Sequence, residues 1–481
     1  MGAMSEEAKT ENNDVPKYPL TVDQDPVVTH HQLGDLKYTA TVGMMPIKDE
    51  FGEVEAGIFY MAYTKDGVTN PAERNLMFSF NGGPGSASVW LHLGALGPKR
   101  IHLNPDGTMP EPPFRLEDNP ESWLEHTDLV FIDPVGTGYS RPAKKDGAKK
   151  FWSLDGDVES VGEFIRLYIT RNQRWASPLH LVGESYGTTR AAGLAGDLMG
   201  KGIAFNSIVL VSSVLNFQTL RAAHGNDLPY QLFLPAFAAT AWYHKALPGR
   251  RSLEAVLKEA ETFANGDYLD ALNQGDRLSA RDRKRIITKL NRLTGLSPAY
   301  IESANLRINI HRFCKELLRK KKRTVGRLDS RFVGIDGLHT SESTEHDPSA
   351  SEIVPAFTAG INDLLTRYLG YQTDVPYYVF NPGDLWKHWS YGDAGSGYPD
   401  TSDALRSAMA KNPHLRIMIA SGYFDLATPY FATEYTLAHM GLDASVRKNI
   451  ETHYYEAGHM MYIHDASLVK LKRDVAQFLG R

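Results

Sequence analysis

A serine set between glycines is the sharpest chemical signal in the sequence. The pentapeptide Gly183-Glu184-Ser185-Tyr186-Gly187 follows the apolar segment Leu179 to Val182 and precedes a run of small residues at 191–196. In a nucleophile elbow, the glycines of Gly-x-Ser-x-Gly tolerate a sharp turn between a strand and a helix and leave the serine hydroxyl exposed. A plain glycine-rich turn is the alternative. The predicted strand before the motif and helix after it favour the elbow, so we predict that Ser185 is a nucleophile.

A serine hydroxyl needs a base to remove its proton, and that base needs a carboxylate to orient it. After an elbow of this kind the acid and the histidine follow the serine in that order. Asp425 comes just after the apolar segment 415–420, and His459 just after 449–455. Taken singly, they would be a turn-forming aspartate and an ordinary histidine. Their order and their positions after predicted strands favour a triad with Ser185.

A glycine-rich loop follows another predicted strand. The sequence Asn81-Gly82-Gly83-Pro84-Gly85-Ser86 comes directly after Leu76 to Phe80. Acyl transfer needs two N–H donors at the developing oxyanion, one from the residue after the nucleophile and one from a loop after an early strand. The amides of Tyr186 and Gly83 fit these two positions. A phosphate-binding loop or a plain turn is the alternative, but the Gly-Lys-Ser/Thr of a phosphate loop is absent here.

The order of the surrounding elements predicts an α/β fold. Short segments rich in β-branched and aromatic residues first predict antiparallel strands, and later strands alternate with helical patterns. That alternation is typical of a mostly parallel, doubly wound sheet. The predicted strands are 38–42, 56–63, 76–80, 129–132, 179–182, 208–215, 415–420 and 449–455, and the predicted helices between and after them include 162–168, 189–198 and 468–475.

The same pattern divides the chain into four segments. Residues 1–26 are polar, carry Pro16 and Pro19 near their middle, and are expected to form a flexible arm. Residues 27–215 and 396–481 are the two parts of one core. Between them, at 216–395, amphipathic helical patterns replace the strands, so we predict an inserted, mainly helical cap.

Four motifs occur together and in one order. They are Asn81-Gly82-Gly83-Pro84-Gly85-Ser86, Asp133-Pro134-Val135-Gly136-Thr137-Gly138-Tyr139-Ser140, Gly183-Glu184-Ser185-Tyr186-Gly187 and Gly458-His459-Met460. This combination resembles the serine carboxypeptidase family, a branch of the α/β-hydrolases, from about Tyr38 to the C-terminus. The resemblance implies an α/β-hydrolase fold with an inserted helical cap.

The resemblance also implies a role for each candidate residue. Ser185, Asp425 and His459 would form the triad, and the amides of Gly83 and Tyr186 the oxyanion hole. The free C-terminal carboxylate of a peptide substrate would be bound by three further groups: Asn81, the amide of Gly82 and Glu184.

Two residues depart from the family pattern. Ser86 stands where the family usually has a cysteine within a disulfide framework, so the resemblance implies no secretory setting. Ala95 stands where a second acidic residue commonly pairs with the one before the nucleophile. Glu184 must then be protonated if it is to donate a hydrogen bond to a carboxylate, unless another group assists it.

Composition and charge exclude several functions. The 52 Lys and Arg against 57 Asp and Glu give a net charge of −5, so no basic field attracts nucleic acid or an anionic membrane. The longest apolar segments are far shorter than the roughly 20 residues of a membrane span. Cys314 is the one cysteine, which excludes an intrachain disulfide and a four-thiolate metal site. We expect neither a metal nor another cofactor.

We therefore expect a serine carboxypeptidase that releases C-terminal residues from peptides through an acyl-enzyme. One alternative is an esterase, amidase or acyltransferase on a small acylated or carboxylate-bearing molecule. Another is a non-catalytic binding protein on the same scaffold. A cytoplasmic location is expected because the N-terminus has no apolar signal core, with export after trimming of a signal as the alternative. The sequence leaves the oligomeric state open, a homodimer included.

Overall fold

Fourteen strands are found in the computed structural model, which describes residues 20, 22, 24–144, 147–380, 382–392 and 397–480. The expected flexible arm, 1–26, lies almost entirely outside the described residues. The strands are β1 (Val27–Leu33), β2 (Leu36–Lys48), β3 (Val54–Lys65), β4 (Leu76–Phe80), β5 (Lys99–Ile101), β6 (Leu116–Asp118), β7 (Asp128–Ile132), β8 (Arg141–Pro142), β9 (Leu179–Glu184), β10 (Ser207–Val211), β11 (Thr324–Val325), β12 (Val333–Gly334), β13 (Arg416–Gly422) and β14 (Ile450–Tyr455).

Ten of these strands form one sheet in the order β1-β2-β3-β7-β4-β9-β10-β13-β14, with β8 paired to β3. The first three strands pair antiparallel, and β3 meets β7 antiparallel. From β7 to β14 every neighbouring pair is parallel. Every residue of β4, β7, β9 and β10 is buried, as expected for parallel strands covered on both faces.

Helices cover the two faces of the sheet and fill the segment between β10 and β13. They are α1 (Val89–Leu91), α2 (Ala148–Phe151), α3 (Leu154–Arg171), α4 (Tyr186–Gly200), α5 (Leu228–Tyr243), α6 (Leu253–Phe263), α7 (Leu269–Gln274), α8 (Ala280–Thr294), α9 (Pro298–Ser303), α10 (Ile310–Glu316), α11 (Pro348–Asp363), α12 (Leu385–His388), α13 (Ser402–Lys411), α14 (Tyr430–His439), α15 (Ala444–Arg447) and α16 (Asp465–Leu479). Within the described part of the chain, none is both long and apolar enough to cross a membrane.

Three hydrophobic clusters hold these layers together. One cluster joins α3, α4 and α13 to one face of the sheet, and a second joins α11 and α16 to the other face. The third lies within the helical segment, between α5, α6, α8 and α10, and also contacts α14. The segment predicted as a cap is thus mainly helical, and its helix α11 packs on the sheet. The predicted boundaries of the four segments stay predictions.

Candidate active site

Ser185 lies at the tight turn between β9 and α4. Its backbone has φ 59° and ψ −129°, a conformation that costs a non-glycine residue about 1–3 kcal/mol. The turn is held by hydrogen bonds from the Ser185 amide to the Val211 carbonyl (3.0 Å) and from the Thr188 amide to the Ser185 carbonyl (2.8 Å). A Cβ atom on Gly183 would lie 2.3 Å from the Gly187 carbonyl oxygen, so a side chain there would disrupt the turn. This is the strand–turn–helix that the pentapeptide predicts.

Asp425 and His459 are hydrogen-bonded on the loops that follow β13 and β14. Nδ1 of His459 lies 2.7 Å from Oδ2 of Asp425, and both side chains are buried. A carboxylate only accepts, so Nδ1 carries the hydrogen and Nε2 of the neutral ring is left to accept a proton. The amides of Ala427 and Thr428 donate to the other carboxylate oxygen at 2.7 and 3.0 Å, which fixes its orientation.

The pair is electrostatically set for proton transfer. Burial opposes ionisation of Asp425, but attraction to His459 and the hydrogen bonds from His459 and Thr428 hold its pKa below the usual value. Burial also disfavours a charged His459, and attraction to Asp425 outweighs it, so the pKa of the imidazole is raised. An ionised Asp425 in this position favours the protonated form of His459.

A hairpin from the helical segment supports both loops. We call residues 324–334, with β11 and β12, the cap hairpin. Its backbone accepts hydrogen bonds from the amide of His459 (to the Leu328 carbonyl, 2.6 Å) and from the amide of Leu426 (to the Arg327 carbonyl, 3.0 Å). The sequence did not indicate this contact, since the hairpin lies more than 90 residues before the residues that it supports.

Asp329 in the cap hairpin reaches the residue next to the catalytic histidine. Its Oδ2 accepts the Gly458 amide at 3.0 Å and forms a buried ion pair with Arg331 at 2.6 Å. A Cβ on Gly458 would lie 2.4 Å from the Asp329 Cβ, so glycine is required for this approach. The position of His459 therefore depends on Asp329, a residue that no local pattern in the sequence indicates.

The glycine-rich loop after β4 packs directly on the elbow. A Cβ on Gly82 would lie 2.4 Å from the Tyr186 nitrogen, and the next residue, Gly83, has φ +105°, where glycine is favoured. Arg190 on α4 donates to the Asn81 carbonyl at 2.7 Å and pairs with Asp157 at 2.8 Å in a fully buried setting. The structure thus brings the loop with the Gly83 amide against the turn with the Tyr186 amide.

Asp133, in the second family motif, holds the far end of this loop. Its carboxylate accepts the Ser88 amide and the Tyr377 hydroxyl, both at 2.8 Å. A Cβ on Gly138 would lie 1.8 Å from that carboxylate, which explains the glycine in the motif. Burial raises the pKa of Asp133 to about 7, although both hydrogen bonds oppose the shift.

Glu184, just before Ser185, is a buried acid that accepts a hydrogen bond from a phenol. The Tyr462 hydroxyl donates to its Oε2 at 2.5 Å, and burial raises its pKa to about 7 against the effects of His459 and that hydrogen bond. Asn81 lies beside Glu184 and Tyr462, yet its Nδ2 has no partner with ordinary hydrogen-bond geometry among the described residues. An unpaired buried amide is costly, so this donor is available for a bound acceptor.

Ala95 lies in a buried π-helical turn, His92–Leu96. The neighbouring Gly94 faces the Tyr462 ring, because a Cβ there would lie 2.4 Å from Cε2 of that ring. The ring next to Gly94 is thus the one whose hydroxyl donates to Glu184, and Ala95 supplies no carboxyl group there. Tyr462 is three residues after His459, and the sequence analysis did not identify it.

One cavity of about 250 Å³ joins these groups. Ser185 and His459 line it together with Asn81, Gly82, Gly83 and Glu184. Its other walls are Ser86, Trp90, Arg327, Leu328, Asp347, Ala350, Ile353, Val354, Phe380 and Met460. A larger surface groove, of about 930 Å³ near Lys37 and Lys472, has no histidine in its lining, so the smaller cavity is the candidate site. The cavity thus brings together residues of the predicted triad, the predicted oxyanion hole and the predicted carboxylate-binding group. Asp425 and Tyr186 are buried and do not line it.

The mostly parallel sheet, the elbow after β9 and the Asp–His pair on the last two strand loops define an α/β-hydrolase, which confirms the predicted fold class. The chain belongs to the serine carboxypeptidase family, because the model of that family matches residues 39–344. It is therefore a serine-type carboxypeptidase of the hydrolase class, as the four motifs predicted.

Relatives and a solved structure agree with this assignment. Serine carboxypeptidase-like 5 of Arabidopsis thaliana is 22% identical over 76% of this chain and 83% of its own length. Serine carboxypeptidase-like 13 of the same plant is 25% identical over the same shares. The crystal structure of a prohormone-processing carboxypeptidase from Saccharomyces cerevisiae has a TM-score of 0.59, with 14% identity, 92% of this chain and 91% of that chain covered. At that identity, the structural likeness concerns the fold.

Proposed function

We propose that this protein removes single residues from peptide C-termini through an acyl-enzyme on Ser185. The observation that carries the proposal is the cavity, which is lined both by Ser185 and His459 and by groups suited to a free carboxylate, Asn81 and Glu184. An exopeptidase needs these two features about one residue apart, because the scissile carbonyl precedes the terminal carboxylate by one residue. No cofactor takes part in the proposed reaction.

In the first half-reaction His459 Nε2 accepts the Ser185 hydroxyl proton while Oγ attacks the scissile carbonyl carbon. The amides of Gly83 and Tyr186 donate to the resulting oxyanion. The C–N bond then breaks, His459 returns the proton to the leaving amine, and the C-terminal amino acid departs. In the second half-reaction a water molecule attacks the ester carbonyl while His459 accepts its proton. The bond to Ser185 Oγ breaks, His459 returns the proton to Oγ, and the shortened peptide is released.

The substrate carboxylate is bound by donors on the other side of the cavity. Asn81 Nδ2 and the Gly82 amide donate to it, and Glu184 donates when it is protonated. Hydrogen bonds to a charged group are stronger than those between neutral groups, so they orient the scissile bond over Ser185. The Tyr462 hydrogen bond occupies Oε2 of Glu184, which leaves Oε1 to carry the donated proton.

His459 and Glu184 limit the activity on peptide acids at low and at high pH, respectively. His459 must be neutral to act as a base, so its raised pKa moves the acid limb of activity upward. Glu184 must be protonated to donate, so binding of a peptide acid weakens as the pH rises through about 7. A bound carboxylate moves this limit further upward by charge repulsion. An ester without the terminal carboxylate has only the acid limb.

Kinetics on a matched peptide acid, peptide amide and blocked ester test the proposal. We expect kcat/KM for the acid to exceed that for the amide by about 100-fold or more near pH 6, and we expect Glu184→Gln to remove the alkaline limb for the acid. Glu434→Gln is the control, since Glu434 is a partly buried glutamate with a tyrosine donor, Tyr454, but does not line the cavity. Equal kcat/KM for acid and amide at every pH would reject the exopeptidase.

The alternative is an esterase, amidase or acyltransferase that uses the same triad. The absence of an acid at Ala95 favours it, because Glu184 then has no second carboxyl group from that position beside it. For this alternative we expect ester or amide hydrolysis at a rate that does not depend on a terminal carboxylate in the substrate. A non-catalytic binding protein is disfavoured by the retained Ser185, Asp425 and His459, since loss of a triad residue is expected in such a protein.

A further inference from the structure

Arg327 brings a positive charge into the same cavity. Its backbone is fixed on both sides: the amide donates to Asp347 Oδ1 at 3.0 Å, and the carbonyl accepts from the Leu426 amide at 3.0 Å. The side chain is 42% exposed and lines the cavity with Ser185 and His459. It is the one lysine or arginine in the lining of this cavity within the described residues.

The guanidinium of Arg327 has hydrogen-bonding capacity left over. Its five N–H groups make no hydrogen bond among the described residues, and its ion-pair contact with Asp347 is long, with Nε 4.0 Å from Oδ2. Asp347 is already satisfied, because it accepts from the amides of Arg327, Leu328 and Ser349 and from the Ser349 hydroxyl. Arg327 can therefore take a planar anion without losing a partner.

We infer that Arg327 binds the side-chain carboxylate of a C-terminal Asp or Glu in the substrate. The inference rests on the proposed function, which places the last residue of the peptide between Ser185 and the carboxylate-binding groups. The side chain of that residue must then lie in the cavity. A volume of about 250 Å³ is below the roughly 300–1,000 Å³ of pockets for drug-sized ligands, so it fits one residue.

The remaining cavity walls suit an acidic side chain better than a basic one. Trp90, Ile353 and Met460 provide apolar surface for its methylene groups, with Arg327 as the charged partner. A lysine would be repelled by Arg327 and would find Asp347 already accepting four hydrogen bonds, three of them at Oδ1. The other titratable groups in the lining, Glu184 and His459, have the roles described above.

The main-chain carboxylate of the same substrate residue is a second anion that would suit Arg327. Pairs of substrates distinguish binding of the side-chain carboxylate from binding of the main-chain carboxylate. The test measures kcat/KM for N-blocked dipeptides ending in Glu, Gln, Leu or Lys, on wild type and Arg327→Gln. We expect wild type to prefer Glu to Gln and to Lys, and Arg327→Gln to lower the Glu-to-Gln ratio about tenfold, equivalent to about 1.4 kcal/mol. Arg327→Glu should reverse the order of Glu and Lys.

Arg323→Gln is the control, because this exposed arginine is in the same region and carries the same charge but does not line the cavity. It should keep the wild-type ratios. An unchanged Glu-to-Gln ratio in Arg327→Gln would overturn the inference. An equal loss for all four peptides would assign Arg327 to the main-chain carboxylate and would also overturn it. Failure of the proposed function is seen separately, as equal rates on wild type for peptide acids and their amides.

Discussion

Ser185 keeps a left-handed backbone conformation because the turn around it is fixed by tight contacts, and its chemistry depends on the Asp425–His459 pair. In the proposed reaction, Ser185→Ala removes the nucleophile, Asp425→Asn removes the charge that orients the imidazole, and His459→Ala removes the base. Because the three act as a unit, we expect each variant to lose about 10³–10⁶-fold in kcat with little change in folding. Steady-state kinetics and circular dichroism check this. Full activity in Ser185→Ala would exclude the triad.

Tyr462→Phe tests the hydrogen bond to the buried acid. The phenol stabilises the Glu184 carboxylate, so its loss raises the pKa of Glu184 above the value of about 7. A higher pKa keeps the acid protonated to higher pH, so the alkaline limb for a peptide acid should move upward. The ester profile, which depends on His459, should not move. pH profiles of kcat/KM for both substrates measure this, and a downward move or no move of the alkaline limb would count against the assigned role.

At the scale of elements, the cap hairpin sets the position of the catalytic loops. Asp329→Ala removes the acceptor of the Gly458 amide and leaves Arg331 as an unpaired buried charge. We expect a loss of about 3–5 kcal/mol of stability and a fall in kcat larger than the change in KM. Thermal unfolding and kinetics check both.

Asp336→Ala is the control for this prediction. It breaks another buried ion pair of the helical segment, Asp336 with Lys315 at 2.5 Å, away from the catalytic loops. It should lower stability similarly and leave kcat near the wild-type value. Equal effects of the two variants on kcat would show that Asp329 has only a structural role.

The sequence predicted most elements that carry the site, because their signals are local. The strand predicted at Leu76 to Phe80 is β4 with the same bounds, and 415–420 and 449–455 match β13 and β14 closely. The strand predicted at 208–215 ends at Val211, because Ser212 has φ +50° and the chain turns there. Asp329 and Tyr462 could not be predicted, since their roles arise from contacts between segments far apart in the chain.

At the scale of the whole molecule, the fold is held without disulfides in the described chain. Cys314 is buried, and burial raises the pKa of its thiol, so it is neither paired nor reactive. We expect the melting temperature and kcat/KM to be the same with and without dithiothreitol. Differential scanning fluorimetry and activity assays measure this. A clear loss of stability in a sample shown to be monomeric would contradict it.

Mass spectrometry of the reaction products tests whether Ser185 releases one residue at a time from a free peptide C-terminus. Wild type and Ser185→Ala are incubated in H₂¹⁸O with one peptide as its acid and as its amide. We predict that wild type removes the last residue of the acid far faster than that of the amide, with ¹⁸O in the new carboxylate of the shortened peptide, and that Ser185→Ala gives no product. Internal cleavage, or equal processing of acid and amide, would contradict the proposed function.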